Sequence, residues 1–167
     1  MKAIVCMNPM NGIGLNNTIP FHYTVYNHYF EDITIGKGNN AVVMGYNTFK
    51  MLGCKPLPNR RNYIITKNPR LLSLQHPVDA IFESNIENII MLESIFDEVF
   101  VIGGETIFKL FEPYYKYILI TVVDTYPIVD TFFNVNYSTF DKHLIKEIYE
   151  NNSLLYFFMY NRPKIKN

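Results

Sequence analysis

Residues 44–66 read Met-Gly-Tyr-Asn-Thr-Phe-Lys-Met-Leu-Gly-Cys-Lys-Pro-Leu-Pro-Asn-Arg-Arg-Asn-Tyr-Ile-Ile-Thr. The order is strand end, glycine turn, short helix, glycine stop, proline-framed loop, arginine pair, strand. A strand that turns straight into a helix and then into another strand points to a parallel sheet, not a hairpin meander. The glycine before the helix lets an anion approach backbone N–H groups. An arginine fixed behind Pro-Leu-Pro is a rigid fork for a carboxylate.

The rest of the chain repeats this grammar. Lys2–Met7 is an apolar, β-branched first strand, followed by a long loop over Asn8–Tyr23. Thr24 caps a helix to about Thr34. Strands are expected at Ala41–Met44, Asn62–Thr66, Asp79–Phe82, Val99–Ile102 and Tyr117–Val123. Helices are expected at Thr48–Leu52, from a Ser84-Asn85-Ile86-Glu87 capping box to about Phe96, and from Gly104 to Pro113. Leu144–Glu150 and Leu154–Tyr160, split by Asn151-Asn152-Ser153, form an antiparallel hairpin, and a frayed basic tail runs from Arg162 to Asn167. The fold class is therefore α/β, with a mostly parallel central sheet covered by helices on both faces and a C-terminal antiparallel hairpin, in one domain over residues 1–167.

Composition excludes several functions. With 49% hydrophobic residues the chain is not disordered. Fifteen basic and fifteen acidic residues cancel, so no global field draws nucleic acid or an anionic membrane. No apolar run spans a bilayer and no signal-peptide pattern opens the chain, so a cytoplasmic location is expected. Cys6 and Cys54 lie far apart and read as free thiols of a reducing compartment. The four histidines show no metal spacing, and no metal is expected.

Three further blocks carry chemistry. In Val101-Ile102-Gly103-Gly104-Glu105-Thr106-Ile107-Phe108 a buried strand ends in two glycines and opens a helix, which aims N–H groups at an anion. Gly12-Ile13-Gly14-Leu15-Asn16-Asn17-Thr18-Ile19-Pro20-Phe21 is glycine-rich and asparagine-rich, and Asp130-Thr131-Phe132-Phe133 closes the set. In register with the opening block, they resemble the dihydrofolate reductase family. The resemblance runs from Ile4 to about Phe133 and implies that family's twisted sheet, NADPH as cofactor, and reduction of 7,8-dihydrofolate to tetrahydrofolate for one-carbon and thymidylate metabolism, by a monomer.

The same resemblance assigns residues. Cys6, Ile13, Asn17, Ile19, Gly45, Asn47, Thr48, Thr66, Gly103, Gly104, Glu105, Thr106, Ile107 and Phe108 would line the NADPH groove. Lys67 reads equally as a cation for the 2′-phosphate or as an exposed turn lysine; the family's usual cation after the glycine is here Tyr46. Glu105 would repel phosphate unless it points away or caps the helix. Ile4, Val5, Asn27, Phe30, Leu52, Leu57 and Ile102 would form the substrate slot, with Arg60 on the glutamate tail and Arg61 toward solvent. Phe21 stands where the family has tryptophan, and Thr121 matches the threonine that supports the pterin site. A cis peptide is expected at Gly103–Gly104.

One position departs. The family's catalytic acid, one helical turn before Phe30, falls on Tyr26. A phenol cannot accept two hydrogen bonds in a carboxylate's fork geometry. At about 100° per residue, Glu31 and Asp32 lie well around the helix and do not replace it. Two accounts stay open: Tyr26 donates to pterin or to the proton-donating water, or it is a packed aromatic and the acid is gone. Antifolates rely on that carboxylate, so weakened methotrexate binding is expected. The rival readings are a reductase-like protein that acts by binding alone and a reductase of another flat heterocycle. Arg60 argues against the latter.

Overall fold

The computed structural model describes residues 1–164. Its strands are β1 (Lys2–Met7), β2 (Gly12–Gly14), β3 (Asn40–Gly45), β4 (Arg61–Ile65), β5 (Ile81–Glu83), β6 (Glu98–Gly103), β7 (Tyr117–Val123), β8 (Thr131–Phe132), β9 (Asp141–Glu150) and β10 (Ser153–Asn161). The helices are α1 (Thr24–Ile35), α2 (Tyr46–Met51), α3 (Pro69–Gln75), α4 (Ile86–Ile90) and α5 (Glu105–Leu110).

Eight strands form one sheet in the order β5-β4-β3-β6-β1-β7-β10-β9. The six from β5 to β7 are mutually parallel, β10 adds antiparallel to β7, and β9 pairs antiparallel with β10 at the edge. Short runs such as Ala41-Val42-Val43-Met44 are apolar at every position because both faces of a central parallel strand are covered. Alternate residues divide between the two faces. Ala3, Val5, Val43 and Val101 pack with Ile89 of α4 and Ile107 and Phe108 of α5. Ile4, Val42, Met44 and Phe100 pack on the other side with Phe49 of α2, Leu72 of α3 and the inner face of α1.

Two capping expectations change. Thr24 does not cap α1; Tyr23 occupies the cap position and offers no side-chain bond. The first N–H groups, of Thr24 and Val25, donate instead to the two carboxylate oxygens of Glu150, each at 3.1 Å. At α4 the cap is Asn85, one residue later than the capping-box pattern, because Glu83 captures the N–H groups of Ser84 and Asn85. That helix ends at Ile90 and continues as a 3-10 turn over Met91–Ser94, short of Phe96. Helix α3, started by Pro69, was not expected from the sequence. Arg162 is not frayed: its Nε donates to the Tyr115 carbonyl at 2.7 Å. Residues 165–167 of the expected tail lie outside the described residues.

Helix α1 is gripped by the distant hairpin. Besides Glu150, the Tyr23 hydroxyl donates to Ser153 Oγ at 2.8 Å, and the Tyr29 ring meets Phe157 edge-on at 4.8 Å. Both residues of the hairpin turn, Asn151 and Asn152, have positive φ, as a two-residue turn between twisted strands requires. Glu150→Ala, which strips α1 of its only N-terminal acceptor, should lower stability by about 1 kcal/mol in urea unfolding, with Glu150→Gln losing less. Parent-like midpoints for both variants would show that the cap contributes nothing.

Candidate active site

A cleft of about 840 Å³ opens at the carboxyl ends of β1, β3, β4 and β6, the place where open α/β sheets bind ligands. Two strand-to-helix turns form its floor. Met44 and Gly103 are register partners, so the β3–α2 and β6–α5 turns lie side by side. Gly45 has no room for a side chain, since a Cβ there would sit 2.9 Å from Ile107 Cγ1. Gly103 has φ of +125° and is joined to Gly104 by a cis peptide, as the resemblance implied. The helix caps Gly45 and Gly104 make no side-chain bonds, so backbone N–H groups at both turns remain available. Around these turns Tyr46, Asn47, Thr48, Thr106, Ile107 and Phe108 line the cleft. Glu105 lines it too, but its carboxylate is held by the Asn134 side-chain amide.

The β2 loop covers one side through Ile13, Gly14, Asn17, Thr18 and Ile19, with Thr131 of β8 behind it. Asp130 fastens this loop: its N–H donates to the Gly14 carbonyl and its Oδ2 accepts from the Asn16 N–H, both at 2.9 Å. The Asn16 N–H, joined by the Thr131 hydroxyl on Oδ1, holds the Asp130 carboxyl below its usual range.

The other half is walled by Ile4, Val5 and Cys6 of β1, Ile102 of β6, Met51, Leu52 and Leu57, and Tyr26, Asn27, Phe30 and Glu31 of α1. Tyr26 is half-buried, its ring 6.2 Å from that of Phe30, and its hydroxyl has no hydrogen-bond partner among the described residues. Burial pushes the phenol well above its ordinary value, helped by the neighbouring Cys6 and Tyr29. The Cys6 thiol is pushed up by burial as well. Glu31, well around α1 from Tyr26, lines this cleft as well.

Arg60 closes the far end. It is 8% exposed, its Nε donates to the Pro58 carbonyl and its Nη1 to Thr34 Oγ1, each at 2.8 Å. Its Nη2 is buried without a partner. One Nη1 hydrogen and both Nη2 hydrogens remain, a free end-on edge for a carboxylate. Burial lowers the Arg60 pKa and the charge of Glu31 partly restores it. The loop behind Arg60 is stapled by buried Asn62: its Oδ1 accepts from the Leu57 N–H at 2.9 Å, and its Nδ2 donates to the carbonyls of Leu57 at 2.8 Å and Arg60 at 2.9 Å. Arg61 points outward and pairs with Asp79 at 2.9 Å.

Four expected site residues lie outside the lining. Phe21 is buried against Tyr23, Leu155 and Phe157, where it supports α1 from behind. Thr121 is buried on β7, the register partner of Cys6. Thr66 follows the end of β4, and its hydroxyl accepts from the Asn68 N–H; Ile65 lines the cleft in its place. Lys67 is exposed beyond it. Sequence reasoning missed Thr34 and Asn62, the supports of Arg60. A polar residue on a helix's buried face and an asparagine inside a strand were the available signals.

A family model described as dihydrofolate reductase matches residues 1–162. The chain belongs to the dihydrofolate reductase family. A dihydrofolate reductase of Ureaplasma parvum is 29% identical over 152 residues, covering 90% of this chain and 92% of that protein. One from Haemophilus influenzae is 32% identical over 132 residues, covering 79% and 77%. Among solved structures, a dihydrofolate reductase from Enterococcus faecalis complexed with NADP(H) and RAB-propyl superposes with a TM-score of 0.86 at 26% identity, covering 98% of this chain and 96% of that one.

The Asn62 staple makes a direct prediction. Asn62→Leu keeps the volume and leaves three backbone groups without partners, so urea unfolding should show a loss of roughly 2 kcal/mol or more. A loss below about 0.5 kcal/mol would mean that the loop finds other partners.

Proposed function

We propose that this chain catalyses NADPH-dependent reduction of 7,8-dihydrofolate, with a neutral phenol where the family's carboxylate stands. One observation carries the reading: a buried, partly unpartnered guanidinium and a pair of glycine turns share one cleft. The first suits a substrate carboxylate and the second suits a dinucleotide's phosphates.

The residues present fit the cofactor. The Gly45 and Gly103–Gly104 turns let phosphates approach backbone N–H groups, and Glu105 is drawn aside by Asn134. Thr48, Thr106 and the β2 loop complete that wall. NADPH, when bound, supplies the hydride. Phe30, Leu52, Leu57 and Ile102 orient a flat ring and a benzoyl group between apolar walls, while Arg60 takes the tail carboxylate. The β2 loop, fastened by Asp130, keeps bulk water from the reacting ring. Tyr26 keeps its proton because burial opposes the phenolate; it donates one hydrogen bond to the pterin or to the water that protonates N5. Phe21 and Thr121 act as supports behind that wall. Both walls of the cleft come from one chain, which favours a monomer. Among the described residues no helix is long and apolar enough to cross a membrane.

Tyr26 also motivates the second reading, a protein that binds NADPH and pterin without turnover. NADPH oxidation with dihydrofolate from about pH 5 to 9 separates the two. We expect measurable turnover in the parent without the limb that a titrating carboxylate would impose, since the phenol stays neutral throughout. Tyr26→Phe should lower it, and Tyr26→Asp should raise it and add a limb that falls as pH rises through the new carboxyl's pKa. Absence of oxidation in parent and Tyr26→Asp alike at every pH would leave only the binding reading. Methotrexate should bind more weakly to the parent than to Tyr26→Asp.

Arg60→Lys retains the charge but loses the planar edge and the Thr34 and Pro58 bonds. The KM for dihydrofolate should rise roughly tenfold or more, with the KM for NADPH little changed. Equal rises in both constants would point to a folding defect instead.

A further inference from the structure

Arg60 is the only lysine or arginine among the described residues lining the cleft. Its free edge holds one carboxylate, because Nε and part of Nη1 are already committed to Pro58 and Thr34. A glutamate tail carries two carboxylates, and each further γ-linked glutamate adds one more. Whatever surrounds the second carboxylate therefore decides how the protein ranks substrates by tail charge.

That surrounding is set by one face of α1. Asn27, His28 and Glu31 all line the cleft and recur at three- and four-residue spacing. Glu31 is exposed and forms no ion pair among the described residues. It lies three residues before Thr34 on α1, on the side of the helix that hydrogen-bonds Arg60, and its charge acts on that guanidinium. With one tail carboxylate fixed on Arg60, the next is tethered near a carboxylate with no salt-bridge partner of its own.

We propose that Glu31 is a specificity-determining residue that limits the preferred substrate to a dihydropterin with a single tail carboxylate and ranks γ-linked polyglutamate forms below it. The proposal rests on the reading of the cleft as a dihydrofolate site with Arg60 as the tail clamp. The repulsion acts at the solvent-exposed mouth, so it is modest and screened by salt. It discriminates by penalising the extra charge, not by adding a contact to the favoured tail.

The test compares 7,8-dihydrofolate with its γ-carboxamide, which has the same shape and one charge fewer. KM and kcat for both are measured at low ionic strength with the parent, Glu31→Gln and Glu31→Lys. In the parent the carboxamide should have the lower KM, by roughly two- to fivefold. The ratio should approach one in Glu31→Gln and invert in Glu31→Lys, while the kcat ratio of the two substrates stays near one in all three. Raising salt to about 1 M should shrink the parent's ratio. The same KM ratio in all three proteins at low salt would overturn the proposal. Failure of the underlying reading looks different: neither substrate is turned over. In that case calorimetric Kd ratios for the same pair still report on Glu31, with the same expected pattern, and a ratio that ignores the substitutions overturns it. No binding of either compound to any of the three proteins overturns both readings.

Discussion

Helix α1 lines one wall of the cleft, yet its N-cap residue offers no side-chain bond and its first turn has no acidic residue. A helix of 12 residues is marginal on its own in water. Its placement therefore depends on what holds it from outside. Glu150 supplies that hold, from the end of β9, 125 and 126 residues away along the chain. Tyr23 on Ser153 and Tyr29 on Phe157 extend the same grip along the helix. The positions of Tyr26, Asn27, Phe30 and Glu31 thus depend on the hairpin being paired to β7. The two antiparallel strands at the sheet edge are a brace for the substrate wall.

A second dependence runs through Arg60. A guanidinium only 8% exposed is costly unless most of its donors are satisfied. Thr34, from α1, and the Pro58 carbonyl satisfy two of them, and Asn62 keeps the loop carrying Pro58 in shape. Of the remaining donors Nη2 is buried without a partner, in a residue that lines the cleft. A ligand carboxylate that meets it finds a donor already stripped of water and already oriented, so little is spent on ordering at the moment of binding. Because Thr34 sits on α1, the brace at Glu150 and the clamp at Arg60 are linked through one helix.

The same physics explains what the sequence revealed and what it hid. The central strands were legible because burial on both faces leaves continuous apolar runs, as in Ala41–Met44, Val99–Ile102 and Tyr117–Val123. The turns at Gly45 and Gly103–Gly104 were legible because only glycine fits them. Long-range capping was not, since nothing around Thr24 announces Glu150. Asn151 and Asn152 marked the hairpin turn, but the other left-handed positions, Asn11, Asn16, Asn17, Cys54 and Asn59, were hidden because no glycine occupies them; asparagine tolerates that conformation better than other side-chain-bearing residues. The helical wheel separates Glu31 from Tyr26 by angle but says nothing of its reach, and a long side chain at the edge of the inner face still lines the cleft.

Charge is sparse inside the cleft, and its distribution has a consequence for catalysis. Glu105 is tied to Asn134, Tyr26 stays neutral, and Arg60 and Glu31 share the far end of the cleft. Where the proposed reading puts the reacting ring, the described residues lining the cleft offer dipoles and hydrogen-bond donors. A family carboxylate at Tyr26 would stabilise a cationic, N-protonated pterin or antifolate by direct Coulomb attraction, which grows as water is excluded. A phenol gives only a single donor to a neutral ring. On the proposed reading the burden of protonation shifts to water beside Tyr26, and the advantage of the cleft falls mainly on positioning the two rings. Such a site should distinguish ligands by the charge of their tails more than by the charge of their rings.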